Sequence, residues 1–438
     1  AGSYGSQLSA NFGWSGTVTG DVVVPATGVS TTGCSAITGD VKGKWVYLHW
    51  TDDPTGENLP CGSGVRFNNA AAAGATGVVL DSPSDVFSAG IAGNTTIPGV
   101  QLTKSSAAKL QAAAVAGTLK VSVDPTKRST VSTPTGALDT LNASSSRGVH
   151  GSTGVSKPDV AAPGTSIGSV GVGTGNGAAT MSGTSMATPH TAGVAALVAA
   201  SGNYTPYQIK SIVMNTATAD IMQNGVAYGP HRVGSGRVVA DNALRTPVIA
   251  YDKDAADLTT VVFGVIEVGK GTVKMERTIE LRNLSTTTQT YNASYLASTT
   301  MPGATVTLDR KSVTVPSKGI ARVKVTLKLK SSELNKVMDP TMNADQKGLE
   351  RAYLADVTGR VQFTSSTATT LRVPVTAAPK PVSDVSVRKV STNLKKGTAT
   401  VTLGGRGLDQ GDGTQQYLSK VSALTLGATS PRHGKALD

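Results

Sequence analysis

One residue in this chain stands where it could act as a nucleophile. In Gly183-Thr184-Ser185-Met186-Ala187-Thr188-Pro189-His190, continuing as Thr191-Ala192-Gly193-Val194-Ala195-Ala196-Leu197-Val198, a serine precedes small apolar residues suited to a helix buried against a sheet. Pro189 falls early enough to be tolerated in a helical start, and Gly183 permits close backbone approach. Ser185 therefore belongs on the first turn, beside unpaired N–H groups and the positive end of the helix dipole. A hydroxyl there can attack an acyl carbon while the Ser185 backbone N–H donates to the developing oxyanion. It also needs a general base and an orienting carboxylate. His190 is poorly placed for the base, because five helical residues turn through roughly 500° and rise about 7.5 Å. Only His49 and His150 precede Ser185.

The run from Gly183 to Val198 resembles the serine motif of subtilisin-like peptidases. Ser144-Ser145-Ser146-Arg147-Gly148 and Lys157-Pro158-Asp159-Val160-Ala161-Ala162-Pro163-Gly164 resemble the two segments that precede the nucleophile in that family, in the same order. Thr205-Pro206-Tyr207-Gln208 reads as a capped helix start, with Thr205 as N-cap and Gln208 closing a capping box. Val233-Gly234-Ser235-Gly236-Arg237-Val238 resembles the glycine-rich turn before the last helix of the family's domain.

The resemblance implies a triad in the chain order Asp, His, Ser, and an oxyanion asparagine. Neither His49 nor His150 lies in a segment like the family's histidine motif. Ala92-Gly93-Asn94 imitates the asparagine run but leads into Thr95-Thr96-Ile97-Pro98-Gly99-Val100, which belongs to another module. The chain begins at Ala1 without the elements of the first half of such a domain. The expectation is a C-terminal portion whose Asp, His and Asn come from an upstream segment, leaving this chain inactive alone.

Residues 15–125 resemble a protease-associated (PA) domain, on Val41-Lys42-Gly43-Lys44-Trp45-Val46-Tyr47-Leu48, Cys61-Gly62, the run Ala70 to Leu80, and Ile97-Pro98-Gly99-Val100. The residues read as strand, cysteine-bearing loop, alanine-rich helix, strand, loop and short strand. Such a module gates or binds, or serves only as a spacer. Cys34 and Cys61 both lie in it, and a disulfide between them suits a secreted protein; two buried free thiols are the alternative. No clustered histidines or C-x-x-C suggest zinc. Calcium is a family expectation for which no ligand set can be placed, so no metal or cofactor is assigned.

From 249 to 378 the pattern turns to alternating strands, at Thr272 to Leu281, Ala304 to Leu308 and Ala321 to Leu327. They imply a β-sandwich resembling the fibronectin type III-like domain that follows some subtilisin-like catalytic domains. The fold class expected is thus multidomain α/β plus β: residues 1–14 a catalytic-domain remnant, 15–125 an α+β PA insertion, 126–248 the C-terminal half of a parallel-sheet α/β domain, 249–378 an all-β sandwich, and 379–438 the start of a truncated β domain.

The net charge of +12 raises the question of nucleic acid, but the basic residues are dispersed and aromatics make up only 4% of the chain. A solvated basic surface, with anionic cell-wall polymers as a candidate partner, fits better. No apolar run approaches the roughly 20 residues that span a bilayer. Gly171-Val172-Gly173-Thr174-Gly175-Asn176-Gly177 fits neither a dinucleotide fingerprint nor a P-loop. Gly183 to Ala187 nearly matches the G-x-S-x-G elbow, but Gly175 to Gly183 makes a poor preceding strand. Three functions are compatible with these features: a secreted serine endopeptidase acting through Ser185 on protein or peptide substrates, a non-catalytic secreted binding protein, and an unrelated hydrolase using His150 as base.

Overall fold

The computed structural model describes residues 4–25, 31–52, 60–85, 87, 90–127, 139–142, 144–148, 155–223, 225–255, 258–342, 345–346, 349–350, 354–393, 395–407, 409–410 and 417–418. Short runs such as Trp-Val-Tyr-Leu and Gly-Val-Val-Leu are apolar at every position, the signature of strands covered on both faces. They form the centre of a sheet made by β1 (Ser6–Leu8), β2 (Val18–Val23), β3 (Trp45–Leu48), β4 (Gly77–Leu80), β5 (Gly99–Leu102) and β6 (Lys120–Val123). The order is β1-β5-β4-β3-β2-β6; β2 to β5 run parallel, and the two edge strands antiparallel.

Helix α1 (Ser63–Ala72) places Phe67 and Ala70 on the face carrying Val46, Leu48, Val78 and Leu80. Helix α2 (Lys104–Val115), capped by Thr103, covers the other face, carrying Trp45, Tyr47, Val79 and Val100. Burying each such large side chain contributes about 1.5–3 kcal/mol, which fixes the three layers. The sheet is mixed: α1 crosses between the parallel strands β3 and β4, whereas α2 leads from β5 to the antiparallel edge strand β6. Cys34 and Cys61 are disulfide-bonded. Arg66, fully buried, stacks on Trp50 and donates to the carbonyls of Thr32, His49, Trp50 and Cys61, so it ties both arms of the bridge to the end of β3. Burial pushes its guanidinium down to about 10.

The middle region contains the hairpin β7 (Ile167–Val170) and β8 (Ala178–Met181), helices α3 (Thr184–Ser201) and α4 (Pro206–Asn215), the small ribbon β9 (Met222–Gln223) and β10 (Val226–Ala227), and helices α5 (Pro230–Val233) and α6 (Ala240–Arg245). The capping box at α4 is present: Gln208 N–H donates to Thr205 Oγ1 at 3.3 Å, and Thr205 N–H to Gln208 Oε1 at 2.8 Å. The parallel sheet expected beside α3 is not formed among the described residues. One isolated parallel bridge, Ala161 with Arg237, stands in its place.

The last region packs the sheet β11 (Val248–Asp252), β13 (Thr272–Asn283), β17 (Ile320–Lys330) and β15 (Ala304–Leu308) against a second sheet. That sheet is β12 (Val261–Val268), β21 (Leu371–Pro381), β20 (Val357–Thr364), β14 (Gln289–Thr299) and β16 (Ser312–Val315). Alternate residues such as Val323, Val325, Leu327 and Leu329 meet Val361, Phe363, Val373 and Val375 in one core. Strands β12 and β21 pair in parallel, from Val261 with Val375 to Val268 with Pro381. Two dipeptide strands, β18 (Asp345–Gln346) and β19 (Leu349–Glu350), lie in the β17–β20 connection, and an exposed hairpin, β22 (Ser386–Asn393) and β23 (Thr398–Gly404), follows β21.

The outer face of the five-stranded sheet carries the middle region. Arg360 on β20, almost wholly buried, donates to the carbonyls of Tyr228, Gly234 and Ser235 at 2.9–3.0 Å. Arg147 meets the buried Asp339 at 2.7 Å, Arg372 donates to the Ala217 carbonyl at 2.9 Å, and Asn215 donates to the carbonyls of Ala250 and Arg372.

Candidate active site

Ser185 occupies the second position of α3. The N-cap, Gly183, has φ +149°, a conformation that side-chain-bearing residues rarely adopt. The Gly183 N–H donates to the Gly164 carbonyl at 2.7 Å, and the Ser166 N–H to Ser182 Oγ at 2.8 Å, so the start of the helix is stitched to the segment entering β7. The amides of Met186 and Ala187 both point at the Gly183 carbonyl. Helix geometry thus leaves the Thr184 and Ser185 amides without intrahelical acceptors, as an oxyanion donor requires. Pro189 has no N–H to give the Ser185 carbonyl four residues back, which loosens the helix at the serine itself.

The helix is not buried, contrary to the sequence expectation. Of its 18 residues only Val198 is buried; Ser185 is exposed, and Leu197 is 51% exposed. Val194, Ala195 and Val198 pack onto Ile212, Val213 and Ala243 of α4 and α6, and the rest of an all-round apolar helix meets no described partner layer. A helix that is apolar on all sides is ordinarily buried.

No described histidine serves Ser185. His190 turns its Nδ1 to the Met186 carbonyl at 2.9 Å. His49 pairs with Asp81 in the PA region, and that hydrogen bond raises its pKa against the opposing effect of burial. His231 lies 3.2 Å from Asp356 and is buried with it. His150 lies outside the described residues. Asn94 is used locally: its side-chain oxygen accepts from the Thr96 and Ile97 amides at 3.0 Å, and its amide donates to Asn68.

The glycine-rich stretch Gly171 to Gly177 is the turn of the β7–β8 hairpin, with Val172 at its tip. A strand therefore does precede Ser185, correcting the sequence reading. It pairs only with β7, antiparallel, whereas an elbow serine rises from a strand inside a larger sheet. Gly234 and Gly236 have positive φ, and an added Cβ would lie 2.1 Å from the Asp159 carbonyl oxygen and 2.0 Å from that of Thr218. This turn, held by Arg360, fixes the Asp159 to Ala162 segment. Arg360 and the Ser166–Ser182 contact escaped sequence reasoning, since no motif marks either. Among the described residues no three His, Cys, Asp or Glu side chains converge, and no calcium ligands are assigned.

Ser185 is thus exposed on the first turn of α3, where helix geometry leaves the first amides without intrahelical acceptors. Residues 66–236 match the subtilase family and residues 18–110 the PA domain. The chain is thus similar to subtilases that carry a PA domain. The chain is 30% identical over 237 residues to the minor extracellular protease Vpr of Bacillus subtilis (strain 168), covering 52% of this chain and 28% of that protein. It is 29% identical over 287 residues to the subtilisin-like protease SBT3 of Solanum lycopersicum, covering 58% of this chain and 37% of that protein. The chain thus spans about a third of the length of these relatives. Among solved structures, the ASH / PapD-like domain of human CEP192 (PapD-like domain 7) is 18% identical, with coverage of 32% of this chain and 88% of that chain and a TM-score of 0.20. So slight a likeness carries no argument.

Proposed function

We propose that the chain is the nucleophile-bearing portion of a secreted subtilisin-like serine endopeptidase. Ser185 Oγ attacks the scissile carbonyl of a protein or peptide substrate, and the Ser185 N–H donates to the oxyanion. The base, its orienting aspartate and an oxyanion asparagine come from polypeptide outside these 438 residues. The observation that carries this reading is α3 itself, an apolar helix with one buried residue that holds an exposed serine away from every described histidine. A layer that covers the helix also brings the missing groups to its N-terminus.

The PA domain borders the same place. Ser166 Oγ donates to the Phe87 carbonyl at 3.4 Å, and Ser166 is bonded to Ser182, three residues before the nucleophile. This position suits control of substrate access. The disulfide suits secretion, and the β-sandwich suits a fibronectin type III-like domain. The net charge of +12 suits attraction to anionic wall polymers.

A fluorophosphonate tests the assignment. Ser185 in the 438-residue chain alone is expected to stay unlabelled, and to be labelled once a segment carrying the aspartate, histidine and asparagine is added. Robust labelling of the chain alone overturns the divided triad. No labelling of a folded complete assembly favours the second reading, a binding protein that retains the fold; the serine's isolation from each described histidine is what keeps that reading in play.

A further inference from the structure

A pocket of about 220 Å³ lies between the middle region and the sandwich, lined by Val155, Ser156, Lys157, Asp159, Tyr207, Lys210 and Leu258 to Thr260. We infer that it binds the carboxylate end of a peptide whose last side chain is apolar.

The charges point to an anion. Lys157 Nζ lies 2.6 Å and Lys210 Nζ 3.6 Å from the same oxygen, Asp159 Oδ2. Two ammonium groups share one carboxylate, which leaves one positive charge uncompensated among the lining residues. The looser Lys210 contact frees donors for a second carboxylate, which can lie between the lysines and take charge-assisted hydrogen bonds. The other lining atoms are mixed. Ser156, Thr259 and Thr260 are buried hydroxyl residues, whereas Val155, Leu258 and the exposed Tyr207 ring give an apolar side. The volume admits one residue of leucine size, so an acid group and an apolar side chain are accommodated together.

The walls are already fixed. Tyr207 and Lys210 are three apart on the first turns of α4 and share a face. Ser211 of that helix and Thr259 share a 3.0 Å hydrogen bond across the two regions, and the Asp159 carbonyl accepts from Ser235 N–H at 3.0 Å. Binding therefore needs little ordering of the protein, which favours affinity for a small ligand. The site shares no residue with the Ser185 turn, so its failure leaves the peptidase reading untouched. Only the source of the peptides rests on that reading: a peptidase generates new carboxylate ends.

Titration calorimetry on the 438-residue chain at low ionic strength decides it, with N-acetyl-leucine, N-acetyl-leucinamide and inorganic phosphate as the probes. N-acetyl-leucine is expected to bind one saturable site. The amide should bind at least tenfold more weakly, Lys210→Gln should weaken the acid roughly tenfold, and Lys157→Gln with Lys210→Gln should abolish it. Tyr207→Ala should weaken N-acetyl-leucine and leave phosphate unchanged. Both lysines are partly exposed, and thermal melts by circular dichroism check that each variant is folded. Equal binding of acid and amide overturns the inference, as does retention in the folded double variant or no saturable binding to the folded chain. Phosphate binding as tightly as N-acetyl-leucine and displacing it would mean a bare anion site, and also overturns it.

Discussion

Replacing Arg360 by alanine should release the glycine turn that aligns the Asp159 segment without unfolding the PA domain. The guanidinium donates to three carbonyls, those of Tyr228, Gly234 and Ser235, from a site where burial pushes its pKa down to about 10; it is therefore charged at neutral pH. Each charge-assisted bond is worth about 1.5–3 kcal/mol net, and the three are not additive because they share one cation. Truncation also strands three carbonyls under β20, so a local loss of about 4 kcal/mol follows, within the range for removing one partner of a buried charged group. That corresponds to roughly a thousandfold increase in local opening. Hydrogen exchange should show it at the amides of Ser235, Arg237 and Val238, which donate to Asp159, Thr218 and Ala161. The amide of Val78, bonded to the Pro98 carbonyl in the PA sheet, serves as the control. Arg360→Lys should recover only part of the protection, since one ammonium cannot span three acceptors. Protection within about threefold of wild type in Arg360→Ala, on a scale where a thousandfold is expected, would refute the reasoning.

Three further outcomes are expected. Opening the Cys34–Cys61 bridge, whose residues are 27 apart, should lower PA stability by about 3.5 kcal/mol in the chain-entropy treatment, read as a urea midpoint by the fluorescence of Trp45 and Trp50, which lie in that region, and of Trp14, which is bonded to Ser9 beside the edge strand β1; an unchanged midpoint would show that Arg66 alone holds the loop. His49 has its pKa raised by Asp81, so its contribution is complete below its ordinary value of 6.5 and is lost as pH rises through the raised one. The same urea midpoint should then fall with rising pH more steeply in wild type than in His49→Asn, and parallel slopes would refute the assignment. Replacing Val22 to Val121 with a Gly/Ser linker in an active assembly should change kcat/KM on long protein substrates and spare a short chromogenic peptide; equal losses with a folded catalytic domain would mean that the PA domain supports the site itself.

Local rules carried much of the architecture into the sequence. Thr205 and Gln208 announce α4 because a capping box is complete within four residues, and the alternation in Ala321 to Leu327 announces β17 because a half-buried strand must alternate. Helix α2 went unread although Thr103 caps it, since Lys104-Ser105-Ser106-Ala107-Ala108-Lys109 has little apolar periodicity. The misreading of α3 has a different cause. Apolar composition tells that a helix needs cover on all sides, but not which polypeptide supplies it. Arg360 was illegible because an outward-facing arginine on a strand looks solvated, and its acceptors lie more than 120 residues earlier in the chain. The histidine pairings with Asp81 and Asp356 are likewise products of tertiary packing and leave no local spacing to find.

The parallel pairing of β12 with β21 gives the sandwich a mechanical character. Val261 starts one strand opposite Val375, and Pro381 ends the other opposite Val268, so the outer ends of the pair lie at opposite ends of its length. Tension between those points slides the two strands along each other and loads every ladder hydrogen bond at once. A hairpin pulled at its open end fails one bond at a time. This region is therefore built to resist stretching along the chain.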